Sequence, residues 1–491
     1  MTTDNNNKTS ISIIWILTGI ILSGLAWYIS DGLNGDFWYL MWIAPVPILL
    51  LSLKTSARRA FVIAFVAYLI GRLSWFSYLV TMATLVPAII MTLLPALVFA
   101  IIILGSRWCI TRLNTWYTIF VFPVFFTTFE YGLIKFSADG TAASIAYTQL
   151  NCVPFIQVAA IAGILGITFM LTFIPSAIAL SWYYRVEKLK LRYVAGVAIL
   201  LVSVVFIYGS IRINSFRTKR YVRAGLAVLD EKVHTNSDSP DFAKEKQVAI
   251  AYAAMVKPLA AQGAQVVLFP ERVIGIGRPW ADSITRILSD AAKQNHVFII
   301  TGYTNQKGEK ERNSGLVIDA DGKIVLDYNK AHLVVGLERQ FTPGNTPGIF
   351  KLNGLQSGLS VCKDLDFQDY IKQYSDSKPG VLYVPAWDFV VDDWLHCRMA
   401  ILRSVENGFS MVRAARRGRL TINDQFGRVT SEVSCADDKQ ATLVGNVSPQ
   451  HIDTFYARFG NWLGVVCLLA TVGFILLASL NRNRKVFLGN R

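Results

Sequence analysis

Charge is scarce in this sequence. Only 16% of its 491 residues are Asp, Glu, Lys or Arg, against 53% that are hydrophobic, a balance too apolar for a wholly soluble chain of this length. The six cysteines, Cys109, Cys152, Cys362, Cys397, Cys435 and Cys467, form no CxxC pair and no Cys/His cluster with metal-ligand spacing, so no metal and no cofactor is expected. A disulfide between Cys397 and Cys435 is open to an oxidising compartment, but unpaired burial is the expectation. A serine elbow, a Walker loop and an HExxH site are all missing, as are tandem repeats and low-complexity linkers. No zinc-finger, helix-turn-helix or RNA-binding signature is present. The net charge of +15 is therefore read as basic loops orienting membrane helices, and no nucleic-acid partner is expected.

What is abundant is long apolar runs. Ile11 to Ser30 is long enough to cross a bilayer and is read as an uncleaved anchor after a polar, disordered lead over 1–10. Further spans are expected at 37–53, 59–80, 84–104, 116–134, 155–182 and 193–211, and an eighth from Trp462 to Leu480. Lys8, Lys54, Arg58, Arg59, Arg107, Arg112, Arg185, Lys188, Lys190, Arg192, Arg482, Arg484, Lys485 and Arg491 collect at one set of helix ends, and the opposite short loops hold only Lys135. The positive-inside rule then puts both termini in the cytoplasm and residues 212–461 outside it. Arg212, Arg217, Lys219 and Arg220 oppose that orientation, but long translocated domains escape the rule. Arg72 and Glu130 fall inside expected spans, where a charge marks a pair or a site unless it snorkels to an interface. The expected division is a membrane domain over 1–211, a catalytic domain over 212–461, and a last span with its tail over 462–491.

Residues 212–461 have an ordinary soluble composition and alternate strand-like with helix-like stretches, as an α/β domain does. Strands are expected at Ala224–Leu229, Ala264–Phe269, Val297–Tyr303, Val381–Pro385 and Ser410–Ala414. Helices are expected at Asp241–Gln262, at Asp282–Gln294 and from Trp394 to Glu406. Hairpins are expected at Ser314–Leu326 and around Asp424–Arg428.

Three strand ends carry chemistry. Ser357-Gly-Leu-Ser-Val-Cys362 reads as a buried strand ending at a thiol, followed by Asp364 and Asp366. Val266-Val-Leu-Phe-Pro-Glu271 ends at a carboxylate, and Leu326-Asp-Tyr-Asn-Lys330 at an ammonium. Acyl transfer through cysteine needs a thiolate, a proton acceptor and a stabiliser for the tetrahedral oxyanion. Cys362 is the expected nucleophile, Glu271 the base and then acid, and Lys330 the cation that favours both thiolate and oxyanion. Singly each residue has a bland reading: an inert core thiol, a loop acid, a solvated lysine. Their order at successive strand ends raises the case.

With those stretches in place, the chain resembles the nitrilase (carbon–nitrogen hydrolase) superfamily. Glu271, Lys330 and Cys362 match its triad, and Glu338 matches its second glutamate. Phe341-Thr-Pro-Gly344 and Arg403-Ser-Val-Glu-Asn407 match its Pro-Gly and Arg-x-x-Glu-Asn segments. The resemblance implies an αββα sandwich over about 220–450, joined to an α-helical membrane bundle of about eight helices. The whole layout is similar to the membrane-embedded apolipoprotein N-acyltransferase branch. That implies a phospholipid acyl donor, a diacylated lipoprotein acceptor, a Cys362 thioester and a bacterial inner membrane. Apolar loops near Trp280 and Trp387–Trp394 would then shield the thioester. Three segments depart from the branch. Lys363-Asp364 stands for its Tyr-Glu, Arg416-Arg417-Gly418 for its Asn-Asn-Gly, and Pro385-Ala-Trp-Asp-Phe389 for its Asn-Asp-x-Trp-Phe. Asp364 is expected to support the site. Trp387, Lys363 and Arg416 are expected to touch substrate, and the three cations Lys363, Arg416 and Arg417 to lie at a headgroup phosphate. A membrane-tethered amidase that passes the acyl group to water uses the same triad. A transporter or receptor with a degenerate sensor domain fits the spans but not the intact triad.

Overall fold

A computed structural model describes residues 11–234 and 241–488, with side chains up to residue 481. The polar lead over 1–10 and the basic tail beyond 481 lie outside the described side chains. The chain forms two compact units. One comprises residues up to Tyr131, Leu165–Phe206 and the chain from Trp462; the other comprises Gly132–Ile164 and Ile207–Asn461.

Among the described residues, seven helices are long and apolar enough to cross a membrane: Ile13–Ser30, Ala57–Ala83, Leu85–Leu113, Trp116–Phe136, Ile164–Tyr183, Lys188–Asn214 and Trp462–Asn481. The run expected over 37–53 is shorter. It forms a 3₁₀ turn, Trp38–Trp42, then a helix, Val46–Lys54, with Pro45 and Pro47 at the junction, where a proline is tolerated only in a helix's first turn. The expected 155–182 span is broken at Gly163, whose φ is +63° and whose added Cβ would lie 2.4 Å from the Tyr456 ring. Only Ile164–Tyr183 remains as its long helix. The two charges expected inside spans are partnered: Arg72 pairs with Asp31 at 3.1 Å, and buried Glu130 accepts a hydrogen bond from Thr168.

The second unit contains a two-sheet sandwich. Its strands are β1 (Val222–Val228), β2 (Val266–Leu268), β3 (Ile274–Gly277), β4 (Phe298–Gln306), β5 (Arg312–Ile318), β6 (Ile324–Asn329), β7 (Gly348–Leu352), β8 (Leu355–Leu359), β9 (Val381–Trp387), β10 (Ser410–Arg416), β11 (Arg419–Asn423), β12 (Val429–Ser434) and β13 (Ala441–Val447). One sheet runs β13-β1-β2-β4-β5-β6, with β3 beside β4; the other runs β12-β11-β10-β9-β8-β7. Both inner faces meet in one core, including Leu226, Leu268, Ile300, Leu359, Tyr383 and Val412. Helices Phe242–Ala261 and Ala281–Asn295 cover the outer face of the first sheet. Helices Gln368–Lys372 and Asp393–Asn407 cover the second. This is the αββα order of layers.

Local chemistry sets several elements. Asp241 caps its helix by accepting from the Ala243 N–H at 3.0 Å. Gly322, at φ +81°, lies in the β5–β6 turn. Asn353 and Gly354 both take positive φ between β7 and β8, as a two-residue hairpin requires. The central strands β1, β2 and β4 are parallel, as are β8, β9 and β10. Within each group the C-terminal ends therefore point the same way.

Candidate active site

Glu271 follows β2, Lys330 follows β6 and Cys362 lies three residues beyond β8. The cysteine does not end its strand as the sequence suggested. It opens a 3₁₀ turn, Cys362–Asp366, in the left-handed region at φ +44°. A non-glycine residue held there is an uncommon conformation that its surroundings must enforce. Asp364 is the enforcing group. Fully buried, it accepts from the Tyr328 hydroxyl at 2.6 Å and from the backbone N–H groups of Val361 at 3.1 Å, Ala331 at 3.0 Å and His332 at 2.7 Å. One carboxylate thus ties the cysteine turn to the segment carrying Lys330.

Lys330 is almost completely buried. Its Nζ donates to Glu271 Oε1 at 2.8 Å and Glu338 Oε2 at 2.9 Å. The Asn313 amide donates to the same two residues, at 2.5 Å to Glu271 Oε1 and 2.6 Å to Glu338 Oε1. Glu338 Oε2 also accepts from the Val334 N–H at 2.7 Å. Both oxygens of Glu338 are therefore occupied. Glu271 differs: Oε2 makes no protein hydrogen bond among the described residues and is not sealed from solvent. An ammonium has three N–H donors, and two of those on Lys330 have carboxylate acceptors. The arrangement leaves a free carboxylate oxygen and a free ammonium donor.

Electrostatics follow this geometry. Burial opposes the charge on Lys330, but the two glutamates outweigh it and hold its pKa above the usual lysine value. Burial pushes Glu338 up, yet Lys330 and the Val334 N–H bring its pKa below the usual carboxylate value. Burial and then Glu271 push the Cys362 thiol well above its ordinary pKa, with Lys330 acting against them. The resting sulfur is a thiol and needs a base. Its Sγ lies 3.7 Å from the Trp387 carbonyl oxygen, at the end of β9.

The structure brings Asp364, Lys363, Trp387 and Arg416 to this region. Lys363 is buried and pairs with Asp139 at 2.5 Å. Arg416 is 1% exposed, pairs with Glu231 at 2.5 Å and lies 4.0 Å over the Trp387 ring. Each of these cations thus already has a carboxylate partner. Trp280 packs near Phe242 in the outer helix layer, ring centroids 5.6 Å apart. Two further groups escaped the sequence reading. Asn313 organises both glutamates, and Arg413 holds Asp388 in a buried bidentate pair at 2.5 and 2.8 Å. An asparagine and an arginine inside strands carry no sequence signal of that role. Cys397 and Cys435 are both free; the latter's thiol donates to the carbonyls of Ala415 and Gly418.

Two family models match in tandem. Residues 21–177 match the apolipoprotein N-acyltransferase N-terminal domain and residues 234–458 match carbon-nitrogen hydrolase. An apolipoprotein N-acyltransferase of Geobacter metallireducens is 23% identical, covering 96% of this chain and 95% of its own. The chain belongs to the apolipoprotein N-acyltransferase family. It is accordingly a multi-pass bacterial inner-membrane enzyme with a nitrilase-like domain. This N-acyltransferase is also similar to the 2-oxoglutaramate amidase of Bacillus subtilis, 28% identical over 30% of this chain and 61% of that protein. An amidase structure from Nesterenkonia sp. aligns with 51% of the chain and all of its own, at 18% identity and a TM-score of 0.42.

Proposed function

We infer that the protein moves a fatty acyl group from a membrane phospholipid, through a thioester on Cys362, to the N-terminal amine of a diacylglyceryl-cysteine lipoprotein. The observation carrying the site assignment is the asymmetry of the two glutamates. Glu338 has both oxygens occupied and can only orient, whereas Glu271 keeps Oε2 open. Glu271 is the base. As sulfur attacks the ester carbonyl, its proton passes to Glu271 Oε2, and the oxyanion forms where the third N–H of Lys330 is available. Collapse of the tetrahedral adduct breaks the C–O bond. Glu271 returns the proton to the leaving glycerol oxygen, giving a lysophospholipid and the Cys362 thioester. The lipoprotein amine then attacks the thioester carbonyl and loses a proton to Glu271. The C–S bond breaks, and that proton restores the Cys362 thiol.

Both termini lie in the cytoplasm and the sandwich lies outside it, a reading supported by the basic residues gathered at one set of helix ends. A reporter fused after Arg491 should be active only on the cytoplasmic side. Signal from the outer side would reverse the topology.

An amidase that gives the acyl group to water has less support, because the match over 21–177 is to the acyltransferase's own N-terminal domain. Mass spectrometry separates the two. Purified protein mixed with phospholipid should gain one acyl group on the peptide containing Cys362. A diacylated lipopeptide should discharge it into a triacylated product. An adduct absent, located elsewhere or discharged equally fast by water alone would overturn the assignment.

A further inference from the structure

Each cation named so far around the site has a carboxylate partner: Lys330 has Glu271 and Glu338, Lys363 has Asp139, Arg413 has Asp388 and Arg416 has Glu231. Arg272 does not. It directly follows Glu271 and is held in the left-handed region at φ +51°. That turn lies against β4 only because Gly302 has no side chain: a Cβ there would lie 2.4 Å from the Glu271 Cα and 3.0 Å from the Arg272 nitrogen. Its guanidinium stands 4.7 Å from the Phe341 ring centroid and 5.5 Å from that of Trp387, whose carbonyl faces the Cys362 thiol. Nε donates to Thr304 Oγ1 at 3.4 Å. The two terminal nitrogens make no protein hydrogen bond among the described residues and are not sealed from solvent. Two aromatic faces therefore fix a guanidinium whose fork remains open, beside the carboxylate assigned as the base.

An open fork matches two oxygens of one anion. The acyl donor supplies such an anion, since a glycerophospholipid carries its phosphodiester only a few bonds from its ester carbonyls. We propose that Arg272 is a specificity-determining residue that binds the phosphodiester of the acyl donor and so selects phospholipid over neutral esters. The proposal rests on the acyltransferase reading above. It transfers to Arg272 the headgroup role expected of Lys363 and Arg416, both of which the fold has paired internally. The competing explanation is that Arg272 merely balances the charge of Glu271 and Glu338, in which case every acyl donor depends on it equally.

The test is the rate of Cys362 thioester formation in full-length protein, measured by mass spectrometry in one detergent with two donors. One is dipalmitoyl phosphatidylethanolamine; the other is p-nitrophenyl palmitate, which has no phosphate. In Arg272→Gln the ratio of the phospholipid rate to the ester rate should fall at least roughly tenfold, as loss of hydrogen bonds to a charged group implies. Arg272→Lys, which keeps the charge but not the fork, should lower the ratio less. Reaction with the ester also reports that the variant is folded. A ratio unchanged in Arg272→Gln, whether both rates fall or neither does, overturns the proposal. If the unaltered protein is acylated by the ester but not the phospholipid, the proposal fails while the nucleophile stands. If neither donor acylates it, the acyltransferase reading fails as well.

Discussion

Two buried ionic clusters lie in the same sandwich unit, and they differ in what their polar atoms are bonded to. In the first, Lys330, Glu271, Glu338 and Asn313 bond mainly to one another and leave Glu271 Oε2 open. In the second, Arg403 and Glu406 form an ion pair at 3.0 Å, and nearby atoms reach across the chain. Arg403 donates to the Tyr147 hydroxyl, Glu406 accepts from the Ile164 N–H and Gln368, and Asn407 accepts from Ser375. That cluster fastens the 132–164 segment to the helix Asp393–Asn407. Both are charged, buried and part of sequence segments matching the superfamily, so burial and charge do not separate a reactive site from a brace. What marks the first as the proposed reactive site is a carboxylate oxygen, Glu271 Oε2, that is not sealed from solvent, whereas Glu406 Oε2 is.

The comparison breaks most directly at Cys362. Cys362→Ala should abolish the acyl adduct on that peptide while the protein remains folded in membranes. Cys362→Ser should fail too, because a hydroxyl beside a carboxylate ionises far less readily than a thiol. An acyl adduct of normal amount in either variant would remove the nucleophile. Glu271→Gln should lower thioester formation by roughly 10²–10⁴-fold, the usual worth of a positioned general base. Glu338→Gln should cost less, because its role is to hold Lys330. Equal losses would erase the distinction drawn between the two glutamates. Lys330→Ala should lower the rate by about 10²–10³-fold through the lost oxyanion donor.

The second cluster predicts the opposite readout. Glu406→Ala leaves the Arg403 guanidinium buried without its carboxylate and should destabilise the unit by about 3–5 kcal/mol. A lower thermal midpoint should therefore appear, with the surviving folded fraction still acylated by phospholipid. Full stability combined with lost acylation would place Glu406 in the chemistry instead.

These clusters also mark what the sequence could reveal. Glu271 and Cys362 were legible because each follows an apolar stretch, Lys330 because it follows a hairpin, and the hairpin around Gly322 because its turn chemistry is local. The β7–β8 hairpin was not expected, although Asn353-Gly354 is a turn signal: the expected strand began at Ser357, beyond that turn, and ran on to Cys362, whereas β8 is Leu355–Leu359. The pairings of Lys363 with Asp139 and Arg416 with Glu231 join residues more than 180 positions apart. A cation's exposure is decided by such long-range partners, and no local pattern contains them. The break at Gly163 was missed for a related reason: hydropathy does not register a left-handed glycine that a distant tyrosine ring requires.

The smallest effect concerns a third pair, a half-buried histidine on a buried carboxylate, which follows the bracing pattern. His396 Nδ1 lies 2.8 Å from Asp392, whose other oxygen accepts from the Phe389 N–H and so closes the turn after Trp387. Burial opposes charge on His396, but Asp392 outweighs it and raises the pKa to about 9 from the ordinary 6.5. A folded pKa above the unfolded one stabilises the folded state fully below the unfolded value, and the gain disappears as pH rises through the folded value. The thermal midpoint of the wild type should thus lose height between about pH 6.5 and pH 9 relative to His396→Gln, and the two curves should converge above that window. Acylation of Cys362 in the variant at pH 6 should fall less than in Glu338→Gln, since His396 braces the turn beside the site and bonds neither Lys330 nor Glu271. A pH-independent gap between the two midpoints would show that His396 stabilises by packing alone, and would remove it from the class of ionic braces.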